Sequence, residues 1–270
     1  MRIGIFDSGI GGLSVLHEAY HRLPEQDYIF YADTDHVPYG KRDPKEILEY
    51  SRESAKFLME QGVDAIVIAC NTATSVAVRI LRQEMSLPII GMEPAVKPAV
   101  ENTDQRRVLV MATPVTLTES KLQNLIQRVD ENHRVDLLPM PELVGFAETE
   151  RFETPEVLDY LTKQFATVHP EDYAALVLGC THFNYFKNLY RNFFPADTAL
   201  VDGNQGTVRY LAKLLSLDAE EDAGEVRFKM VEEMTERTVY YASGRPVTEK
   251  ETLEHFLRLH NRLEEMREIC

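Results

Sequence analysis

Short apolar runs rich in branched residues recur along the chain, and each is followed by a longer stretch whose apolar positions repeat at helical spacing. Runs this short read as strands and the amphipathic stretches as helices, so the alternation predicts βα units around largely parallel sheets. Predicted strands fall at 2–6, 27–32, 63–69 and 88–90, then at 107–111, 134–138, 174–178 and 199–201.

The two series run in the same order. DAIVIACNT aligns with YAALVLGCT, setting Cys70 against Cys180, while IGIFD and VLVMA, YIFYA and VDLLP, and PIIG and ALVD sit at similar offsets. The doubling predicts an α/β fold of two similar, pseudo-symmetric lobes, each a parallel sheet flanked by helices, with a cleft between them. The expected division is 1–95 plus 206–270 for the first lobe and 96–205 for the second. The tail reads as a helix at 206–215, an acidic connector, strand-like runs at 226–230 and 238–242, and an amphipathic helix at 247–265 that packs back on the first lobe.

Composition narrows the function. The chain has 270 residues, 44% of them apolar, enough for two modest domains with real cores. Its 29 basic against 44 acidic side chains give a net charge of −15, and no basic run exceeds the pairs Lys41-Arg42 and Arg106-Arg107, so no nucleic-acid partner is expected. No run has the apolar length of a membrane span, and MRIGIFDSG enters a strand without a basic segment and cleavage site, so a cytoplasmic protein is expected. Three cysteines are too few and too odd for a disulfide framework, and free thiols are expected.

Asp7 follows IGIF, Cys70 follows AIVIA and Cys180 follows ALVLG, which places all three at the carboxyl ends of predicted parallel strands, where such folds bind ligands. Ser8-Gly9, Asn71-Thr72 and Thr181 come next and can cap helices expected at 12–22, 73–85 and 182–193. Amide groups at helix starts favour anions and lower a cysteine pKa. Packing alone also ends strands with cysteine, and Asp7 and His182 could serve only as helix-start groups. Cys270 reads as a bystander.

Two thiols admit three uses. Zinc is one, through the Cys180-x-His182 pair with Cys70, although structural zinc sites draw on close pairs such as CxxC, which this chain lacks. A redox dithiol is another, though its partners normally lie closer in sequence. The third is proton transfer from opposite faces of one carbon, which inversion of a stereocentre in both directions requires and which a doubled scaffold supplies. Asp7 and His182 would then orient the thiols or take their protons.

FDSGIGGLSVL at 6–16, YADTDHVPYG at 31–40, VIACNTATSVA at 67–77 and VLGCTHF at 177–183 together resemble the glutamate racemase family, with softer matches at IIGMEPAV, ELVGFAETE and YYASG. The resemblance implies glutamate as substrate, favoured by the VPYG and CNTAT pieces over the alternative of an aspartate racemase or related two-cysteine enzyme, with no cofactor and no metal, a homodimer, and supply of D-glutamate for peptidoglycan. It implies that Cys70 acts on the D-isomer and Cys180 on the L-isomer, assisted by Asp7, His182 and Glu148. It also implies substrate contacts from Ser8, Pro38, Tyr39, Gly40, Asn71, Thr72, Thr116 and Thr181. Asp35 and His36 depart from the small and basic pair expected in that motif, and Asn184 stands where proline is common.

Overall fold

The computed structural model of the protein describes residues 1–92, 95–219 and 227–269. Its strands form two sheets. In the first, β1 (Arg2–Asp7), β2 (Asp27–Ala32), β3 (Ala65–Ile68) and β4 (Ile89–Gly91) stand in the order β2-β1-β3-β4, all parallel. In the second, β5 (Arg107–Ala112), β6 (Val135–Pro139), β7 (Tyr173–Leu178) and β8 (Ala199–Asp202) stand in the order β6-β5-β7-β8, again parallel. The second order repeats the first strand for strand, as the sequence doubling predicts.

Central strands β3 and β7 are buried along their whole length, because helices cover both faces of a parallel sheet and leave no position for an alternating polar residue. The tail returns to the first sheet: β9 (Val239–Ala242) adds parallel to β2, and β10 (Arg245–Val247) turns back antiparallel on β9. The strand expected at 226–230 does not form. Residues 227–230 belong to the helix Arg227–Arg237, although VRFKM alternates apolar and charged positions as a strand would, and Val226 lies outside the described residues, as does most of the acidic connector.

Helix Pro44–Glu60 starts on a reciprocal cap in which the Asp43 carboxylate accepts the Lys45 N–H at 2.8 Å and the Glu46 carboxylate accepts the Asp43 N–H at 3.1 Å. It packs with helix Asn71–Glu84 over one face of the first sheet, burying Phe6, Ile29, Leu58 and Ile66. The opposite face joins the largest apolar core, which runs from Ile5, Leu13 and Phe30 to Phe183 and Phe186 of the second half and Phe256 of the final helix. Each such aromatic side chain contributes roughly 2 to 3 kcal/mol by leaving water. This continuous core holds the ends of β1, β3 and β7 in a fixed relationship.

Candidate active site

Strand β1 delivers Asp7, fully buried, to the junction of the two halves. Its Oδ1 accepts the Gly9 N–H at 2.9 Å and the Ser8 hydroxyl at 3.4 Å, and its Oδ2 accepts the Thr181 hydroxyl from the second half at 3.1 Å. Burial pushes its pKa up to about 6 against the opposing pull of His182 and these hydrogen bonds.

Strand β3 delivers Cys70, which is itself the N-cap of the helix Asn71–Glu84: its sulfur accepts the Ala73 N–H at 3.4 Å. Hence the helix starts at Asn71, two residues earlier than the polar pair Asn71-Thr72 suggests. The thiol also donates to the Ser8 hydroxyl at 3.7 Å. The expected lowering of its pKa is overturned, because burial drives the thiol up, the Asp7 carboxylate drives it further, and the Ala73 N–H offsets only part.

Strand β7 delivers Cys180, 7% exposed, through Gly179. Instead of the helix expected at 182–193, a 3-10 segment at Thr181–Phe186 leads into the single turn Lys187–Tyr190. That tight path turns the His182 ring back on the cysteine, with Nδ1 3.7 Å from the sulfur. Its Nε2 lies 2.6 Å from Oε1 of Glu148, at the end of helix Leu143–Glu148, and that oxygen also accepts the Ile10 N–H at 2.8 Å. Burial alone would lower the His182 pKa, but its hydrogen bonds to Cys180 and Glu148 outweigh that and raise it well above the ordinary value.

Two glycines allow this assembly. A Cβ on Gly9 would strike the Glu148 carboxylate, and one on Gly11 would strike His182 and Thr181, so the loop after β1 must be bare for second-half side chains to sit on it. In the sequence Gly9 reads only as part of a helix cap with Ser8, and Gly11 is not singled out. Their spacing in SGIGG was the available signal.

A second polar cluster joins the halves alongside. The Thr72 hydroxyl is 3.0 Å from that of Thr113 and 3.2 Å from that of Thr116, and the last two are 3.0 Å apart. Thr113 was not anticipated. It follows β5 as Ser8 follows β1, so the repeat could have found it. The buried Asn71 Oδ1 has no protein partner and remains able to accept a hydrogen bond. On the loop after β2, Gly40 lies against Thr113, Tyr39 is buried with its hydroxyl donating to Asp33 at 2.6 Å, and half-buried Pro38 precedes them.

The departures noted in the sequence are accounted for locally. Asp35 makes a paired contact with Arg245 of β10 at 2.7 Å, His36 stacks on Tyr50 at 3.7 Å between ring centres, and the Asn184 amide donates to the Thr181 carbonyl at 3.1 Å.

The structure thus gathers Asp7, Ser8, Cys70, Glu148, Thr181, Cys180 and His182 into one network, with Thr72 and Thr116 in the adjoining cluster. Residues 12–211 match the family described as Asp/Glu/Hydantoin racemase. The chain belongs to that family. It is therefore a racemase, an isomerase, which sets aside the reading of a non-catalytic dithiol protein.

The chain is 48% identical to a glutamate racemase of Lachnospira eligens, an alignment spanning 100% of both proteins. It is 54% identical to one of Campylobacter curvus over 80% of this chain and 84% of that one. Among solved structures, Escherichia coli glutamate racemase in complex with L-glutamate and the activator UDP-MurNAc-ala superposes with a TM-score of 0.76 at 28% identity, covering 92% of this chain and 99% of that one. Glutamate racemase from Campylobacter jejuni gives 0.75 at 26% identity, covering 97% and 98%. No helix among the described residues is long and apolar enough to cross a membrane.

Proposed function

We propose that this racemase interconverts L- and D-glutamate by proton transfer at Cα between two thiols, Cys70 and Cys180, without a cofactor. The reading rests on one relationship: the two cysteines follow β3 and β7, the equivalent strands of the two repeated sheets, and hydrogen bonds through Ser8, Asp7 and Thr181 connect their surroundings.

Each thiol has its own proton partner. Cys70 can pass its proton through Ser8 to Asp7, whose pKa of about 6 suits a carboxylate that takes and returns protons near neutrality. Cys180 faces His182, and Glu148 holds that ring in place. A thiolate formed where burial disfavours charge is a strong base, which the weakly acidic Cα–H demands. With Cys70 removing the proton from the D-isomer, the Cys180 thiol returns one to the opposite face, and the L-isomer runs the path in reverse.

Neutral donors and acceptors would hold the substrate. Asn71, the threonine cluster, Ser8 and the Tyr39–Gly40 turn offer hydroxyl, amide and backbone groups to two carboxylates and an ammonium. The high identity to glutamate racemases supports glutamate over shorter acids. We take the lobes as 1–95 plus 206–270 and 96–205, the enzyme as a cytoplasmic homodimer, and its product as D-glutamate for peptidoglycan.

The test is incubation with L-glutamate in deuterated water, following optical rotation by circular dichroism and deuterium at Cα by NMR. Inversion should come with solvent deuterium, and Cys70→Ala and Cys180→Ala should each abolish it. Unaltered turnover in either variant would sink the two-thiol scheme, and faster inversion of aspartate than of glutamate would sink the substrate assignment.

A further inference from the structure

Helix Leu13–Arg22 leaves the active-site loop and packs against the final helix, Lys250–Arg267. Between them lies a cluster of ionisable side chains that proton transfer at Cα does not use. His17 and His21 sit one turn apart on the first helix, and His260 and Glu264 sit one turn apart on the last, so each pair lines one face. All four residues are at most 2% exposed. Nε2 of His17 and Nε2 of His21 each stand 2.8 Å from the same atom, Oε2 of Glu264. On the far side of its ring, His17 Nδ1 is 3.2 Å from His260 Nδ1.

Two imidazoles and a carboxylate converging from two helices form the donor set of a zinc-class divalent cation, and these three ligand atoms lie within 4.8 Å of one another. We propose that His17, His21 and Glu264 bind one such cation, which fastens the final helix to the helix that carries the active-site loop. Ligand atoms around tetrahedral zinc stand about 3.3 Å apart, so the two hydrogen-bonded contacts open by roughly half an ångström to admit it. A water completes the coordination.

His260 supplies, for His17, the outer partner on which metal-bound histidines commonly rely, while the buried Nδ1 of His21 has no hydrogen-bond partner among the described residues. Without metal, each Nε2–H donates to Glu264, so the bare Nδ1 of His17 accepts the Nδ1–H of His260. With metal on Nε2, His17 carries its proton on Nδ1 and donates it to His260, which changes to its Nε2–H form. Each ring keeps the same number of protons, and only their positions change.

The experiment uses the full chain, stripped with a chelator and titrated with Co²⁺, whose spectrum separates this site from the active-site thiols. The expected result is one equivalent with visible d–d bands and no thiolate charge transfer. In His21→Gln and Glu264→Gln that equivalent should bind at least 100-fold more weakly. Zn²⁺ should also switch the His17, His21 and His260 tautomers in ¹⁵N-histidine spectra of the unmutated protein, a readout that stands if a variant fails to fold. The assignment is overturned by cobalt uptake only with thiolate bands, by uptake unchanged in both variants, or by histidine tautomers that ignore a full equivalent of Zn²⁺.

Discussion

Nε2 of His182 lies 2.6 Å from Oε1 of Glu148, so a carboxylate supplied by a short helix fixes the ring that faces Cys180. The raised His182 pKa means that the native state holds this proton where the unfolded chain has lost it. Its stabilisation is complete below the unfolded value of about 6.5 and disappears as pH rises through the folded pKa. Glu148→Gln removes one of the two hydrogen bonds that raise it, so loss of stability on the alkaline side should set in at lower pH. Thermal melts across pH check this, and an unchanged alkaline profile would refute the role of Glu148.

Asp7 has the same sign over a lower pH range. Its folded pKa of about 6 lies above the unfolded carboxylate value near 4, so the native state binds the proton more tightly and stability falls as pH rises between them. The full cost above pH 6 is about 3 kcal/mol. Relative to the unmutated protein, Asp7→Asn should therefore gain up to that amount on moving from below pH 4 to above pH 6, measured by denaturant unfolding. The same variant should lose the acid limb near pH 6 from the pH profile of kcat/KM.

Gly11→Ala should damage catalysis more than folding. Its added methyl meets His182 and Thr181, and under the proposed scheme displacing a proton-transfer group by about an ångström costs on the order of 100-fold in rate. We expect kcat to fall by that factor in racemisation assays while the cooperative melt persists.

Thr116→Val should raise KM about tenfold and change kcat less than threefold, since its hydroxyl belongs to the cluster beside the thiols and not to their proton partners. An equal fall in kcat would give Thr116 a different part.

Elimination offers a one-base assay. A β-chloro amino acid loses Cα–H and chloride without needing a proton returned to the opposite face, so Cys70→Ser or Cys180→Ser should retain part of its elimination rate while losing racemisation. Abolition of both reactions in both variants would contradict independent bases.

Most of the scaffold and the positions of Asp7, Cys70 and Cys180 in it were legible because they follow periodic rules. Apolar runs located the eight repeated strands within a residue or two, and Asp7, Cys70 and Cys180 stood at their carboxyl ends. What was illegible depended on contacts between distant segments. Glu148 lies on a helix surface until Ile10 and His182 meet it, and no local pattern reports that meeting. The Cys70 pKa was misjudged for the same reason: the helix start visible in the sequence is real, but the burial and the Asp7 charge that outweigh it come from elsewhere in the fold. The 227–237 helix was misread because its short apolar run suits either period.

Strand β2 waits for β9, which is translated only after the whole second sheet, so during synthesis the first sheet presents an open edge to its surroundings. The half of the enzyme that begins first is thus completed last, and a ribosome stalled before Val239 would carry Asp7 and both thiols on a molecule whose oldest part still invites a foreign strand.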